Sequence, residues 1–310
     1  MPKREFLITS PSDANLRLDR FLSEKIKELS RAQIQRLIDK GFIRVEKQAA
    51  KSSQKLRVGE RIEVEFEIPG PQKLQADNIP LPIIFHDKHI IIIDKPSGIV
   101  VHPGAGLRQG TLANALLFHF PEIKDIGPEE RPGIVHRLDK ETSGLMVIAR
   151  SLRAYTHLQH QFKIKAVEKH YSGLVWGKMS VKEGHLTWPI GRHPKYGARV
   201  SVKTKKPRTA ETRYTVRQEF ERFSLLDIQP ITGRTHQIRV HLAASGHPIV
   251  GDRRYGRRGD KAAGPRLFLH AHLLSFTHPE TDKHVEFFSP LPEDLKKFLK
   301  KIEEEVQGSC

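Results

Sequence analysis

Gly133-Ile134-Val135-His136-Arg137-Leu138-Asp139-Lys140-Glu141-Thr142-Ser143-Gly144 runs straight into Leu145-Met146-Val147-Ile148-Ala149, and the reading of the whole chain turns on this stretch. Its second part is an unbroken apolar run that predicts a buried strand, since a strand covered on both faces has no polar side to alternate with. Its first part is polar, with Pro132-Gly133 before it and Gly144 closing it, and it gathers an acid, cationic side chains and hydroxyls on one loop. Reactive side chains on a loop anchored by a rigid strand are a common active-site arrangement. By itself, Asp139 in such a loop reads equally as a salt-bridged turn residue.

Outward from that loop the chain is strongly basic. Its 310 residues are 37% hydrophobic and carry a formal net charge of +17, with a sequence pI near 9.9. That length and composition suit one large core with a small appended domain. Such a charge excess favours a polyanionic partner, because neutralising phosphates releases condensed counterions. No basic amphipathic helix points to a membrane surface, and the aliphatic run Ile90 to Ile93 is far too short to span a bilayer. Met1-Pro2-Lys3-Arg4 leads into no signal-peptide apolar core, so a soluble, cytoplasmic, nucleic-acid-facing protein is expected. The one cysteine, Cys310, is the last residue and offers neither an internal disulfide nor a thiolate metal site.

Toward the N-terminus, Leu18, Phe21, Leu22, Ile26 and Leu29 recur at helical spacing. Ser30-Arg31-Ala32-Gln33 is a capping-box pattern opening a second helix that Gly41 ends. Strands at Phe42 to Val45 and Arg61 to Phe66, with Gly59 between them, complete two short helices on a small hairpin, and the second helix presents Arg31, Gln33, Arg36 and Lys40 with Arg44 beyond. The polar, proline-rich residues 69–80 read as a linker between a 1–68 domain and an 81–310 domain.

In the larger part, the patterns predict a strand at Ile90 to Ile93 and a turn at Asp94-Lys95-Pro96-Ser97-Gly98. A helix around Leu112 to Phe118 follows, then one capped by Ser151 with Leu152, Tyr155, Leu158 and Phe162 inward. Further strands are expected at Lys169 to Trp176, Phe223 to Ile228, Leu267 to Phe276 and His284 to Phe288. Thr235 is expected to cap a helix through Ser245, and Glu293 to Val306 reads as an exposed, charge-alternating terminal helix. The class is therefore α+β, with a mixed, largely antiparallel sheet behind a small α/β domain. Residues 192–217 hold nine Lys or Arg against one acid, Glu211, which suits either a solvated hairpin or an RNA-contacting stripe. Gly104 to Thr111 lacks the lysine of a phosphate-binding loop, so no nucleotide cofactor is expected. The histidine clusters His157/His160, His236/His241 and His270/His272 form no His-Glu-x-x-His pattern, so no metal is expected either.

His136-Arg137-Leu138-Asp139-Lys140-x-Thr142-Ser143-Gly144 closely resembles the signature of RluA/RluD-type pseudouridine synthases, which isomerise selected uridines in RNA. Lys169-His170-Tyr171 with Gly173-Leu174-Val175-x-Gly177, and Thr232-Gly233-Arg234-Thr235-His236-Gln237-Ile238-Arg239, resemble two further blocks of that family in the same order. Pro189 to Pro194, Gly246 to Asp252 and Leu269-His270-Ala271 also fit, so the match spans about residues 85 to 292. Residues 16 to 65 resemble an S4 RNA-binding domain. The family resemblance implies Asp139, Tyr171 and Arg239 as catalytic and Arg137, His136 and Arg192 as substrate-binding, with Asp139 paired to Arg239. It also implies an S4 face of Arg31, Gln33, Arg36, Lys40 and Arg44, and chemistry that needs no cofactor.

Val101-His102-Pro103-Gly104-Ala105-Gly106 most resembles the RluD type, which implies large-subunit ribosomal RNA or a pre-50S particle as partner, with helix 69 as target, for a monomeric enzyme. Gly197-Ala198-Arg199-Val200-Ser201 departs from the family's usual run after Pro194, and this bears on RNA contact rather than on the catalytic set. The residues leave open whether Asp139 attacks C1′, attacks C6 or acts on a sugar proton. A non-catalytic RNA-binding or ribosome-assembly factor with the same fold is the rival reading, and the intact trio of Asp139, Tyr171 and Arg239 weighs against it.

Overall fold

A computed structural model describes residues 3–8, 10–26, 28–65, 74–104, 108–196, 199–256 and 264–307. The chain divides into two compact units, Met1–Gln72 and Lys73–Cys310.

In the first unit, strand β1 (Lys3–Leu7) precedes helices α1 (Leu18–Lys25) and α2 (Arg31–Asp39), which are followed by β2 (Ile43–Val45), β3 (Gln48–Ala49) and β4 (Arg61–Glu65). The sheet has four strands in the order β1-β4-β2-β3, not a lone hairpin. The charged β1 and the two-residue β3 give almost no apolar alternation, which is why the sequence pattern passes them over. Phe66, placed in the last strand from sequence, lies outside the described residues. Leu18, Phe21, Leu22, Ile26 and Leu29 all reach the core, although the helix stops at Lys25 and Leu29 packs from the following loop. The capping box is present: the Ser30 hydroxyl accepts from Gln33 N–H, and Gln33 Oε1 accepts from Ser30 N–H at 2.8 Å.

The two helices are tied by a buried carboxylate. Asp19 Oδ1 accepts from Arg17 Nε at 3.1 Å, and Oδ2 accepts from Arg31 Nη2 at 3.0 Å and Gln35 Nε2 at 2.6 Å. Burial raises the Asp19 carboxyl, but the donors Arg17, Gln35 and Arg31 more than reverse this and hold it well below the ordinary carboxylate range.

The second unit contains β5 (Ile83–His86), β6 (Ile90–Lys95), α3 (Leu112–His119), β7 (Ser143–Ala149), α4 (Leu152–Ile164), β8 (Glu168–Trp176) and β9 (Glu183–Leu186). It continues with β10 (Gly191–Arg192), β11 (Val200–Ser201), β12 (Thr212–Glu219), β13 (Phe223–Pro230), α5 (Gln237–Ala244), β14 (Leu269–Thr277), β15 (His284–Phe288) and α6 (Glu293–Gln307). A nine-stranded sheet runs β5-β6-β7-β14-β8-β13-β12-β9, with β15 also on β14. Its pairings are antiparallel except for β7 with β14. The expected mixed, largely antiparallel sheet is what the chain forms.

All seven residues of β7 are buried, as its apolar run requires. The strand lies between β6 and β14, with α4 against it. Leu74 and Leu81, near the proline-rich segment, pack on this core, and Asp77 N–H donates to Asn114 C=O. Two helical expectations need correction. Leu152 is 66% exposed, because it opens the first turn of α4 on the solvent side, whereas Tyr155 and Leu158 are buried. Helix α6 is not a wholly exposed helix, since Leu295 and Ile302 bury one face in the core. Charges on the other face mask that stripe in the sequence.

Gly144 marks the seam between β7 and β14. Its φ is +122°, and a Cβ there would lie 2.3 Å from Ala271 O and 2.5 Å from Ala271 N. Backbone that close can be relieved only by separating the strands. Gly144→Ala is expected to cost about 3 kcal/mol or more, from left-handed strain and overpacking together, and chemical denaturation of the purified variant measures it. A second outcome concerns Asp19. Its folded-state pKa lies below the unfolded value, so its contribution is present above about pH 4 and is lost as pH falls through the folded value. Asp19→Asn should therefore flatten the acid limb of the stability profile of residues 3–65, followed by the amide exchange of α1 and α2.

Candidate active site

A cavity of about 580 Å³ opens in the second unit, lined by the 134–139 loop, Tyr171, residues 230–239 and the end of α4. It gathers Asp139, Arg137, His136, Tyr171 and Arg239, which are spread over 104 positions of sequence, from 136 to 239. Arg192 is not among its lining residues; it lies on the β10–β11 hairpin, exposed and paired across to Val200.

The loop is fixed from beneath. Lys95 ends β6, is fully buried, and points its ammonium at three carbonyls: Pro96 O at 2.8 Å, Ile99 O at 3.0 Å and Lys140 O at 3.3 Å. Burial pulls this ammonium down to about 7; Asp139 opposes the fall, Arg266 adds to it and Asp94 opposes it. Ser97 Oγ donates to Glu141 O at 2.7 Å, and Gly98 N–H to Lys140 O at 2.7 Å. So the Asp94–Gly98 turn is a clamp on both residues that follow Asp139. At the loop's other end, His136 Nε2 accepts from Val147 N–H at 3.0 Å, and its ring stacks on Phe162 with centroids 4.7 Å apart. Burial pushes His136 down to about 3, and Lys169 contributes, so the imidazole is neutral. His136 thus combines a cavity wall with a tie to β7.

Arg239 is 3% exposed and rises from α5 into the base of the cavity. It pairs with Asp139, as the family resemblance implies, but its fork is turned to another carboxylate. Nε and Nη2 each donate to Asp252 at 2.8 Å, while Asp139 Oδ2 receives a single, longer contact from Nη1 at 3.4 Å and Glu141 Oε2 one from Nη2 at 3.3 Å. The reason is positional: Asp252 is fully buried beside the guanidinium, whereas Asp139 is 15% exposed on the cavity wall. Arg239 opposes its own burial through Asp252, and its pKa is raised.

The start of α5 also departs from expectation. Thr235 does not cap it; His236 does, in the left-handed conformation with φ 56°, and its side chain makes no capping bond. The turn is held instead by Gln237, whose Oε1 accepts from Thr232 Oγ1 at 2.6 Å and Arg234 N–H at 3.1 Å. Tyr171 faces the cavity from β8, and burial, then Asp139, raises its phenol. His102 also lines the cavity, and its buried Nδ1 has no hydrogen-bond partner. Arg131, Arg137, Lys163, Lys165, Lys169 and Arg234 complete a cationic rim. Among the described residues, no group of three or more His, Cys, Asp or Glu side chains is placed to hold a metal ion.

Lys95 and Asp252 are the neighbours of Asp139 and Arg239 to which sequence reasoning assigned no role. A lysine completing the run Ile90 to Asp94 before Pro96, and an aspartate after Gly251 in an apolar-flanked turn, were the available signals.

A carboxylate on the wall of a cation-rimmed cavity is an arrangement that suits an anionic polymer as ligand. Known proteins agree. The model of the RNA pseudouridylate synthase family matches residues 89–244, and that of the S4 domain matches residues 16–62. A Nitrosomonas europaea protein named ribosomal large subunit pseudouridine synthase D is 42% identical, over 95% of this chain and 87% of its own. An Aquifex aeolicus protein named uncharacterized RNA pseudouridine synthase is 41% identical over 93% of this chain and 94% of its own. The solved structure of human RNA pseudouridylate synthase domain containing 1 shares the fold, with a TM-score of 0.58 and 24% identity, covering 74% of this chain and 96% of that one. The chain belongs to the RNA pseudouridylate synthase family and carries an S4 domain; it is an RNA pseudouridine synthase.

Asp252→Asn should test the fork. Removing one partner of a buried pair leaves Arg239 uncompensated, so a loss of about 3 kcal/mol or more is expected together with a fall in activity. Thermal unfolding and turnover on the same preparation measure both.

Proposed function

We propose that the enzyme isomerises uridines of large-subunit ribosomal RNA, helix 69 foremost, with Asp139 as the catalytic carboxylate. The observation that supports this role is the placement of Asp139: one oxygen is held by Arg239, and the carboxylate lies on the wall of a cavity large enough for a nucleotide. The ribosomal target rests on the resemblance to the RluD type and on the name of the Nitrosomonas europaea relative. RNA, free or in a pre-50S particle, is the partner, and a cytoplasmic monomer is the working form. No helix among the described residues is long and apolar enough to cross a membrane.

The reaction breaks the N1–C1′ bond of uridine, turns the base and forms C5–C1′; the C5 proton is lost and N1 is protonated, with no net redox change. Arg137, exposed at the cavity mouth, occupies the space left by the extruded base, offsetting an unstacking cost of a few kcal/mol. Tyr171 lies against the uracil, and its raised pKa keeps it neutral at physiological pH, so that it can donate or relay a proton. Asp139 stabilises or traps the electron-poor centre formed on cleavage. His136 forms the wall, Arg192 meets the backbone farther out, and on the S4 domain Arg36, Lys40 and Arg44 are exposed for phosphate contact. Arg31 and Gln33 contribute from side chains already engaged with Asp19 and Ser30.

Release of tritium from 5-tritiated uridine RNA tests the assignment. Wild-type protein should release it from ribosomal RNA, and Asp139→Asn should lower the rate at least about 1000-fold while RNA binding stays within about threefold. Turnover surviving in Asp139→Asn would remove Asp139 from the chemistry.

A further inference from the structure

The side of Asp139 away from Arg239 faces a second chain of contacts. His236 Nε2 lies 3.9 Å from Asp139 Oδ1. The other ring nitrogen, Nδ1, is 2.8 Å from the Tyr255 hydroxyl. That hydroxyl accepts in turn from Val200 N–H at 3.3 Å, on β11. A phenol oxygen that accepts from a backbone N–H has its own proton to give elsewhere, and the nitrogen in reach is Nδ1. Nδ1 then accepts, and the imidazole proton resides on Nε2, toward the carboxylate.

We propose that His236 is a positioning residue for Asp139, locked by Tyr255 in the tautomer that turns an Nε2 proton toward Oδ1. The inference rests on the reading of Asp139 as the reacting carboxylate. Arg239 contacts Oδ2 loosely and His236 flanks Oδ1, so a group stands ready on each side of the carboxylate to set its plane. At 3.9 Å the His236 contact is not yet a hydrogen bond; a small rotation of either side chain closes it when a nucleotide fills the cavity, as is common for sites that tighten on substrate. The left-handed backbone of His236 supports the assignment. At φ 56°, a conformation costly for a residue other than glycine, the side chain forgoes capping α5 and turns to Tyr255.

The groups facing His236 are consistent with a neutral ring. Burial lowers its pKa, Asp139 opposes this, Arg239 and Arg254 add to the lowering, and Asp252 opposes it. Tyr255 is itself buried, with the Arg199 and Arg239 guanidinium groups 5.2 and 5.3 Å from its ring centre. Its hydroxyl therefore ties the cationic β10–β11 hairpin to the cavity.

Gln and Asn substitutions separate the two ring nitrogens, because a Gln amide nitrogen falls near Nε2 and an Asn amide nitrogen near Nδ1. His236→Gln should retain turnover within about fivefold of wild type, while His236→Asn and Tyr255→Phe should each lower kcat about 10-fold or more with KM for RNA nearly unchanged. The double variant His236→Asn/Tyr255→Phe should be no worse than His236→Asn alone, because both act through one contact. Nitrogen-15 imidazole shifts, with the His236 signal identified by its loss in His236→Gln, should show a neutral ring protonated at Nε2 in the wild type and a changed pattern in Tyr255→Phe. Equal activity of the Gln and Asn variants, additive losses, or a wild-type ring protonated at Nδ1 would each overturn the proposal. Asp139→Asn, run alongside, keeps the two readings apart: if it stays active the assignment of Asp139 fails, and if it is inactive while every His236 variant turns over normally only the positioning role fails.

Discussion

A guanidinium buried to 3% exposure cannot stand alone, and the site is arranged around satisfying it. Asp252 takes the fork of Arg239, and the remaining reach of the group goes to Asp139 and Glu141. One cation thus faces three carboxylates. The local excess of negative charge is set against the basic rim of Lys165, Lys169, Arg234 and their neighbours. The rim therefore balances the base of the cavity as well as attracting RNA. Because Asp252 carries most of the pairing, Asp139 remains only loosely held and open to the cavity.

Neutral groups surround that charged pair. Burial drives His136 down and Tyr171 up, so both are uncharged at neutral pH. Among the residues that line the base of the cavity, charge is thus concentrated on Asp139 and Arg239, with Asp252 buried behind Arg239, Glu141 more exposed beside it and Lys95 beneath the loop. The Arg239–Asp252 contact, buried on both sides, acts more strongly than the same pair would at a surface.

How far this was legible in the sequence depended on which signal each residue leaves. The β7 run from Leu145 is apolar on both faces, so it announces a central strand. Strands such as β12, whose Thr212 to Glu219 run lies in the cationic segment, present one polar face and do not. Asp139, Tyr171 and Arg239 were nameable because they fall in blocks with a recognisable family pattern, and the cavity does gather them. Asp252 also lies in a matching block, but neither it nor Lys95 was given a role, since charged residues read as surface by default and only the fold shows the partners that make their burial tolerable. The cap of α5 failed for a related reason: threonine is a good capping residue, but here the Gln237 amide holds the turn and His236 is turned elsewhere.

The order of the strands has a further meaning for how the enzyme is made. Strand β14 lies between β7, which carries the Asp139 loop, and β8, which carries Tyr171, yet it comes from residues 269–277. Ribosomes deliver β7 and β8 more than 90 residues before the strand that joins them, from Trp176 to Leu269. Until β14 emerges, the sheet is two fragments with unpaired edges, and the carboxylate and the phenol belong to different pieces. A chain that ended before residue 269 would thus hold the Asp139 loop and Tyr171 on separate pieces of sheet, with β14 absent from between them.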